Sequence, residues 1–158
     1  MNRQSLPPYR LYGTLMWLLS ALFAFRVSAQ LLILNYPQLP LPAFEHWHSE
    51  ILAYPVLVAF QVAILFLLGF LSYRVFNNQV TPNAKKGKQL LIFGAVYFIV
   101  MSIRLAISLS PLQLSSSHLA GVSDISWFQR PLPSFFHLVL ASFVLIQAHC
   151  YLIGDKDA

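Results

Sequence analysis

Four long apolar runs constrain the fold of this chain more than any other feature. They cover about residues 11–34, 51–73, 90–109 and 133–153, and each approaches the ~20 residues that a helix needs to cross a bilayer. Isolated strands of this length would leave unpaired backbone groups in lipid, and the alternation typical of a membrane β-barrel is absent. We therefore predict an all-α integral membrane protein, a single domain built as a four-transmembrane-helix bundle.

The composition supports a membrane rather than an aqueous environment. Of the 158 residues, 58% are hydrophobic and only 9% are charged, whereas a soluble domain carries about 25% charged residues. The net charge of +5 does not indicate nucleic-acid binding, because the basic residues form no stripe with interleaved aromatics. The one cysteine, Cys150, excludes an intramolecular disulfide and a cysteine-based metal site.

The lysines and arginines predict the orientation of the helices. Of the basic residues in the connections and termini, only Arg130 lies on the side of the membrane that holds the predicted outer loops, at about 35–50 and 111–132. Positively charged connections stay in the cytoplasm, so both termini and the loop at about 74–89 are expected there, in a bacterial inner (plasma) membrane. The basic residues on that predicted cytoplasmic side are Arg3, Arg10, Arg74, Lys85, Lys86, Lys88 and Lys156.

An alternative for the N-terminus is a cleaved signal peptide. The start "MNRQSLPPYR" is basic, an apolar run follows, and the small residues of "VSA" at 27–29 suit a cleavage site. A retained first helix is favoured, because Arg26 would directly precede the site and the apolar run resumes with "LLIL". A mature N-terminus at Gln30, measured by mass spectrometry, would reduce the number of membrane helices.

Two arginines inside the apolar runs are the strongest functional signal. An arginine near the centre of a membrane helix costs roughly 2.5–3.5 kcal/mol on insertion scales. Either the side chains reach back to the head groups, or they bind a shared anionic or carbonyl-bearing ligand. Gln30 follows Arg26 by four residues and shares its face, His137 lies level with the two arginines, and Gln61 could form a hydrogen bond across the bundle. The predicted ligand-binding residues are Arg26, Gln30, Gln61, Arg104 and His137.

The polar stretch "FEHWHSEILAYP", residues 44–55, has two interpretations. In an extended loop His46 and His48 would point the same way and suit a metal ion. Alternatively, Ser49 caps the second helix, and a carboxylate in its first turn interacts favourably with the positive end of the helix dipole. The metal candidates are His46, His48, His118 and His137. The predicted rim of the site comprises His46, Trp47, His48, Glu50, Tyr54, Trp127 and Arg130.

Several functions are compatible with these sequence features. The favoured one is binding of a lipid-soluble or anionic small ligand at an outward-facing pocket, or a role as a subunit of a membrane complex. The alternatives are a redox protein with one outer b-type haem or quinone site, and a membrane-embedded lipid-modifying enzyme. No catalytic residue is predicted, because the chain contains no phosphate-binding glycine loop, HExxH sequence or nucleophile elbow. The expected partners are the bilayer, a lipid or quinone, and either further copies of this chain or other subunits.

Overall fold

The computed structural model describes residues 9–36, 38, 54–109 and 131–153, and within these residues it contains four α-helices and no strand. All four are long and apolar enough to cross a membrane, with mean hydropathy of 1.8 to 2.3 over their most apolar windows. The predicted number and type of elements are therefore confirmed. The helices are α1 (Tyr9–Asn35), α2 (Tyr54–Phe76), α3 (Ala84–Leu109) and α4 (Pro131–Ile153).

Helix α3 begins at Ala84, well before the predicted start near residue 90. The side-chain oxygen of Asn83 accepts a hydrogen bond from the backbone N–H of Lys86 at 2.9 Å. This contact is an N-cap, which satisfies one of the backbone donors that a helix start leaves without a partner. The lysine-rich segment is thus part of α3, and the predicted loop of residues 74–89 was too long.

The end of α2 is also defined by asparagines. The helix continues to Phe76, beyond the predicted end near residue 73. Asn78 adopts a positive φ of 57°, and the backbone N–H of Gln79 donates to the carbonyl of Arg74 at 2.8 Å. A left-handed residue just after a helix closes its last turn in this way, and asparagine tolerates that conformation.

Prolines lie in the first turns of α2 and α4. Pro55 is the second residue of α2, and Pro131 and Pro133 open α4. Proline is compatible with a first helical turn because its missing N–H would have no intrahelical acceptor there. The start of α2 at Tyr54 is close to the predicted one, while residues 51–53 lie outside the described part of the chain.

The first two helices form an antiparallel hairpin. Gly13, near the start of α1, lies against the backbone of Phe76 at the end of α2. Further along, the hydroxyls of Ser20 and Ser72 are 3.3 Å apart. We call the end that holds the start of α1 and the end of α2 the terminal end, and the opposite one the distal end.

Helices α3 and α4 form the second antiparallel hairpin, in which Gly94 lies against Leu145. The two hairpins are joined by α1 packing on α4, also antiparallel. Tyr12 meets His149 at the terminal end of this pair. Helices α1 and α4 are therefore central, and α2 and α3 flank them.

The core follows from this arrangement. The central helices are 39% buried over their most apolar windows, compared with 17% for α2 and 11% for α3. The flanking helices expose large apolar side chains, for example Phe66 at 77%. The larger buried cluster contains Met16, Phe23, Val27, Leu68, Val75, Phe143 and Cys150, and the smaller one, towards the distal end, contains Ala29, Ile33, Phe136 and Val139.

Candidate functional site

His137 and Tyr97 form a hydrogen-bonded pair between α4 and α3. The Tyr97 hydroxyl and His137 Nδ1 are 2.5 Å apart, and the two rings meet edge to face at 6.0 Å. Both side chains are partly buried. Tyr97 was not predicted as a ligand-binding residue. Its spacing of seven residues from Arg104, two helical turns on one face, is the sequence signal that would have placed it there.

Two buried arginines lie near this pair. Arg26 of α1 is only 7% exposed and Arg104 of α3 only 8%. The Arg26 guanidinium lies over the ring of Phe136, with 5.4 Å between its Cζ and the ring centroid. Both guanidinium groups are close enough to interact electrostatically with Tyr97 and His137.

No carboxylate belongs to any of the four helices. The sequence has five acidic residues, and all of them fall outside the described residues. The charged side chains within the four helices are therefore all basic. The acidic residues are Glu45, Glu50, Asp124, Asp155 and Asp157.

Gln30 and Gln61 form a second polar pair, between α1 and α2. Gln61 Nε2 donates to Gln30 Oε1 at 3.1 Å, and the side chains are only 1% and 3% exposed. Within the described residues, Gln30 Nε2 and Gln61 Oε1 have no hydrogen-bond partner. Each buried amide thus uses one of its two polar ends.

These residues lie at similar depths in the four helices. Counted from the distal end of its own helix at 1.5 Å per residue, each lies roughly 8 to 18 Å inside. Arg26 and Gln30 are one turn apart on α1 and so share a face. The Arg26 guanidinium therefore lies on the same side of α1 as the glutamine pair. We call the following set the distal cluster: Arg26, Gln30, Gln61, Tyr97, Arg104 and His137.

Most of the predicted rim and the predicted metal site cannot be compared with the structure. His46, Trp47, His48, Glu50, His118, Trp127 and Arg130 lie outside the described residues, as does the side chain of Tyr54. Among the side chains that are described, no three His, Cys, Asp or Glu residues come together.

The described histidines, His137 and His149, cannot ligate one haem together. They are twelve positions apart on α4, which corresponds to roughly 18 Å along the helix axis. His149 instead meets Tyr12, with 3.2 Å between its Nε2 and the tyrosine hydroxyl. Within one chain, a haem with two histidine ligands would therefore need His46, His48 or His118, which lie outside the described residues.

Apolar side chains lie between the glutamine pair and the serine pair nearer the terminal end. Ser20 and Ser72 are hydrogen-bonded in mid-helix, about ten residues, or roughly 15 Å, from the glutamine pair. The buried side chains of Phe23, Val27 and Leu68 occupy the interval. Buried Gln147 lies farther along α4. Among the described residues, the serine pair and the glutamine pair are thus two separate hydrogen-bonded pairs.

The described helices also form an apolar groove of about 430 Å³ on the first turns of α2. It is lined by Pro55, Val56, Ala59, Phe60 and Ala63, and no side chain of the distal cluster lines it. The groove and the distal cluster are therefore distinct features.

The fold and the cluster define a class of protein: a multi-pass helical protein with a buried, positively charged polar cluster near one end of its helices. Comparisons of the chain with protein-family models, with curated proteins and with solved structures find no match. The chemistry of the distal cluster is therefore the feature of the molecule that indicates a function.

Proposed function

We propose that the chain is an integral protein of a bacterial plasma membrane with both termini in the cytoplasm. The large apolar side chains on the outer faces of α2 and α3 favour lipid as their surroundings, since contiguous apolar surface of this extent is rare in soluble monomers. The basic residues of the described helices, apart from the two in the distal cluster, lie at the terminal end, which favours that end as the cytoplasmic one. The distal cluster then opens towards the outer leaflet.

We further propose that the distal cluster binds the anionic group of a membrane-soluble ligand. The observation that carries this proposal is the pair of buried guanidinium groups beside Tyr97 and His137. Each arginine costs roughly 2.5–3.5 kcal/mol to place in a membrane helix. A shared anion offsets this cost for both at once.

The geometry of Arg26 is compatible with such a ligand. Its face is covered by the Phe136 ring, and the hydrogen-bond donors of a guanidinium lie in its plane. Cation–π contact and recognition of a phosphate or carboxylate can therefore occur together. Tyr97 and His137 add polar groups beside the bound anion.

The experiment is native mass spectrometry of the purified protein, comparing wild type with Arg26→Gln and Arg104→Gln. Each variant is expected to lose a bound lipid-sized mass that the wild type retains. Arg10→Gln is the matched control, because Arg10 lies on the same helix as Arg26 but is exposed at the terminal end. Arg26→Lys separates charge from shape, since lysine keeps the charge but lacks the planar guanidinium.

Equal retention of the bound mass in wild type and both glutamine variants would rule out the proposed ligand. Loss of a co-purifying protein subunit, with no change in bound lipid, would support the alternative role as a subunit of a membrane complex. Self-association and assembly with other subunits stay predictions.

A quinone is the second candidate ligand. The Tyr97–His137 pair favours it, because the hydrogen bond between the two side chains uses one donor and leaves either the His137 Nε2–H or the Tyr97 O–H for a quinone carbonyl. Ultraviolet spectra of an organic extract of the pure protein, with and without borohydride, would detect it. An absorption spectrum of the same preparation, oxidised and dithionite-reduced, would detect a b-type haem.

A further inference from the structure

The glutamine pair shows what the distal cluster recognises besides negative charge. Gln30 Nε2 offers a vacant donor and Gln61 Oε1 a vacant acceptor, and both side chains are more than nine-tenths buried. A buried polar atom without a partner costs free energy. One group that both donates and accepts satisfies both atoms.

The glutamine pair has one vacant donor group and one vacant acceptor whichever way the two amide groups are oriented. If both amides were rotated by 180°, Gln30 Nε2 would donate to Gln61 Oε1, leaving Gln61 Nε2 and Gln30 Oε1 vacant. One donor and one acceptor remain in either case. A hydroxyl group matches them because its O–H donates and its lone pairs accept.

Other head groups fit less well. A carboxylate or a quinone carbonyl only accepts hydrogen bonds, so it would leave Gln61 Oε1 unsatisfied. An ammonium group only donates, and it would lie close to the positive charge of Arg26, one turn away on α1. The pair therefore favours a neutral hydroxyl that accompanies an anionic group.

The spacing of Arg26 and Gln30 sets the distance between the anionic group and the hydroxyl group of the ligand. Arg26 and Gln30 are separated by one helical turn, a rise of roughly 6 Å. A short polyol chain spans that distance between an esterified phosphate and a terminal hydroxyl. The phosphate would meet the guanidinium groups of Arg26 and Arg104, and the hydroxyl would meet the glutamine pair.

Building on the proposed function, we infer that the ligand is an anionic glycerophospholipid whose head group carries free hydroxyls. The phosphate supplies the charge, and the polyol supplies the combined donor and acceptor. A phosphate ester of a free polyol has the same head-group chemistry. The lipid is favoured because the cluster lies inside helices whose outer surfaces are apolar.

The test uses delipidated full-length protein and lipids with matched acyl chains, titrated in native mass spectrometry. The probes are phosphatidylglycerol, phosphatidic acid, which lacks the polyol, phosphatidylcholine, and water-soluble glycerol phosphate. Wild type is expected to bind phosphatidylglycerol about tenfold more tightly than phosphatidic acid, a difference of about 1.4 kcal/mol. Phosphatidylcholine and glycerol phosphate are expected to bind more weakly than either.

Gln30→Leu and Gln61→Leu should remove the preference for phosphatidylglycerol while binding of phosphatidic acid persists. Gln147→Leu is the matched control: Gln147 is 5% exposed and has a vacant Oε1, but lies roughly 15 Å from His137 along α4. It should keep the preference. The thermal unfolding temperature of each variant is measured first, so that loss of fold is separated from loss of recognition.

The outcomes distinguish this inference from the proposed function. Equal binding of the two anionic lipids by wild type, still abolished by Arg26→Gln, would overturn the inference and leave the proposed function standing. Arginine-independent binding of both lipids would overturn both. Binding of glycerol phosphate as tight as that of the lipid would overturn the assignment to a lipid.

Discussion

Tyr97 joins α3 to the polar residues of the central helices. Its hydroxyl pairs with His137, and both arginines of the distal cluster act on it electrostatically. A phenol within an apolar helix needs a partner for its hydroxyl. The pair therefore serves two purposes, satisfying Tyr97 and fixing the imidazole of His137 in one orientation.

Replacing Tyr97 with phenylalanine should lower the free energy of unfolding by about 0.5–1.5 kcal/mol, because it leaves His137 Nδ1 without this partner. Hydrogen bonds between membrane helices average about 0.6 kcal/mol, so the lower part of that range is expected. Unfolding in mixed detergent micelles, followed by circular dichroism, measures the change. Tyr73→Phe is the control, because Tyr73 is 55% exposed. Equal effects of the two substitutions would contradict a specific role for the pair.

Part of the distal cluster could be predicted from individual residues. Arg26, Arg104 and His137 stand out because charged or ionisable groups are costly in an apolar helix. Gln30 followed from its spacing to Arg26. The direct contact between Gln30 and Gln61 could not be predicted, since it depends on how α2 is rotated against α1, which no local pattern specifies. The same holds for the contact of Arg26 with Phe136.

Glycine permits the close approach of α1 and α2 at the terminal end. A Cβ built on Gly13 would lie 2.6 Å from the Cα of Phe76, closer than carbon atoms can pack. Small residues at helix contacts allow backbones to approach and gain dispersion energy in membranes, where lipid removes the hydrophobic drive between helices. The position of Gly13 thus helps to set the register of the first hairpin.

Gly13→Ala is expected to destabilise the protein by about 1–3 kcal/mol, as overpacking does elsewhere, because the clash is with backbone rather than a flexible side chain. Gly69→Ala on α2 is the matched control. The nearest atom to a Cβ there is the Cη2 of Trp17, at 4.0 Å. That substitution should be neutral or stabilising by up to about 1 kcal/mol, since alanine is the better helix former. Thermal unfolding in detergent compares them, and a smaller loss for Gly13→Ala than for Gly69→Ala would refute this packing.

The helices themselves could be predicted, but not how they pair. Length and hydropathy suffice to find a membrane-crossing helix, and the distal ends of α1, α3 and α4 lie close to their predicted limits. The terminal ends of α2 and α3 were misplaced, because asparagine caps at 78 and 83 extend the helices into polar sequence. Which helices are central depends on tertiary packing, and all four runs are similarly apolar.

Charge is distributed unequally between the two ends of the molecule. The terminal end carries Arg10, Arg74, Lys85, Lys86 and Lys88 within the described helices. Helix α3 measures about 39 Å at 1.5 Å per residue, so its lysine-bearing first turns extend past a ~30 Å hydrocarbon layer. In the proposed orientation, the lysines would lie among cytoplasmic head groups and Arg104 near the other side of the membrane. With the terminal end in the cytoplasm, as proposed, the distal cluster would lie in the outer leaflet, away from the basic surface.

The proposed orientation predicts which connections are accessible from outside the cell. In a Cys150→Ala background, which has no other cysteine, single cysteines are introduced as Gln38→Cys and Gln79→Cys, at exposed positions in the distal and terminal connections. A membrane-impermeant maleimide should label Gln38→Cys in intact cells, and Gln79→Cys only after permeabilisation, because the positively charged connections stay in the cytoplasm. Changing Lys85, Lys86 and Lys88 to glutamine should raise labelling of Gln79→Cys in intact cells by weakening that bias. The reverse pattern in the unmodified background would invert the orientation and move the distal cluster to the cytoplasmic leaflet.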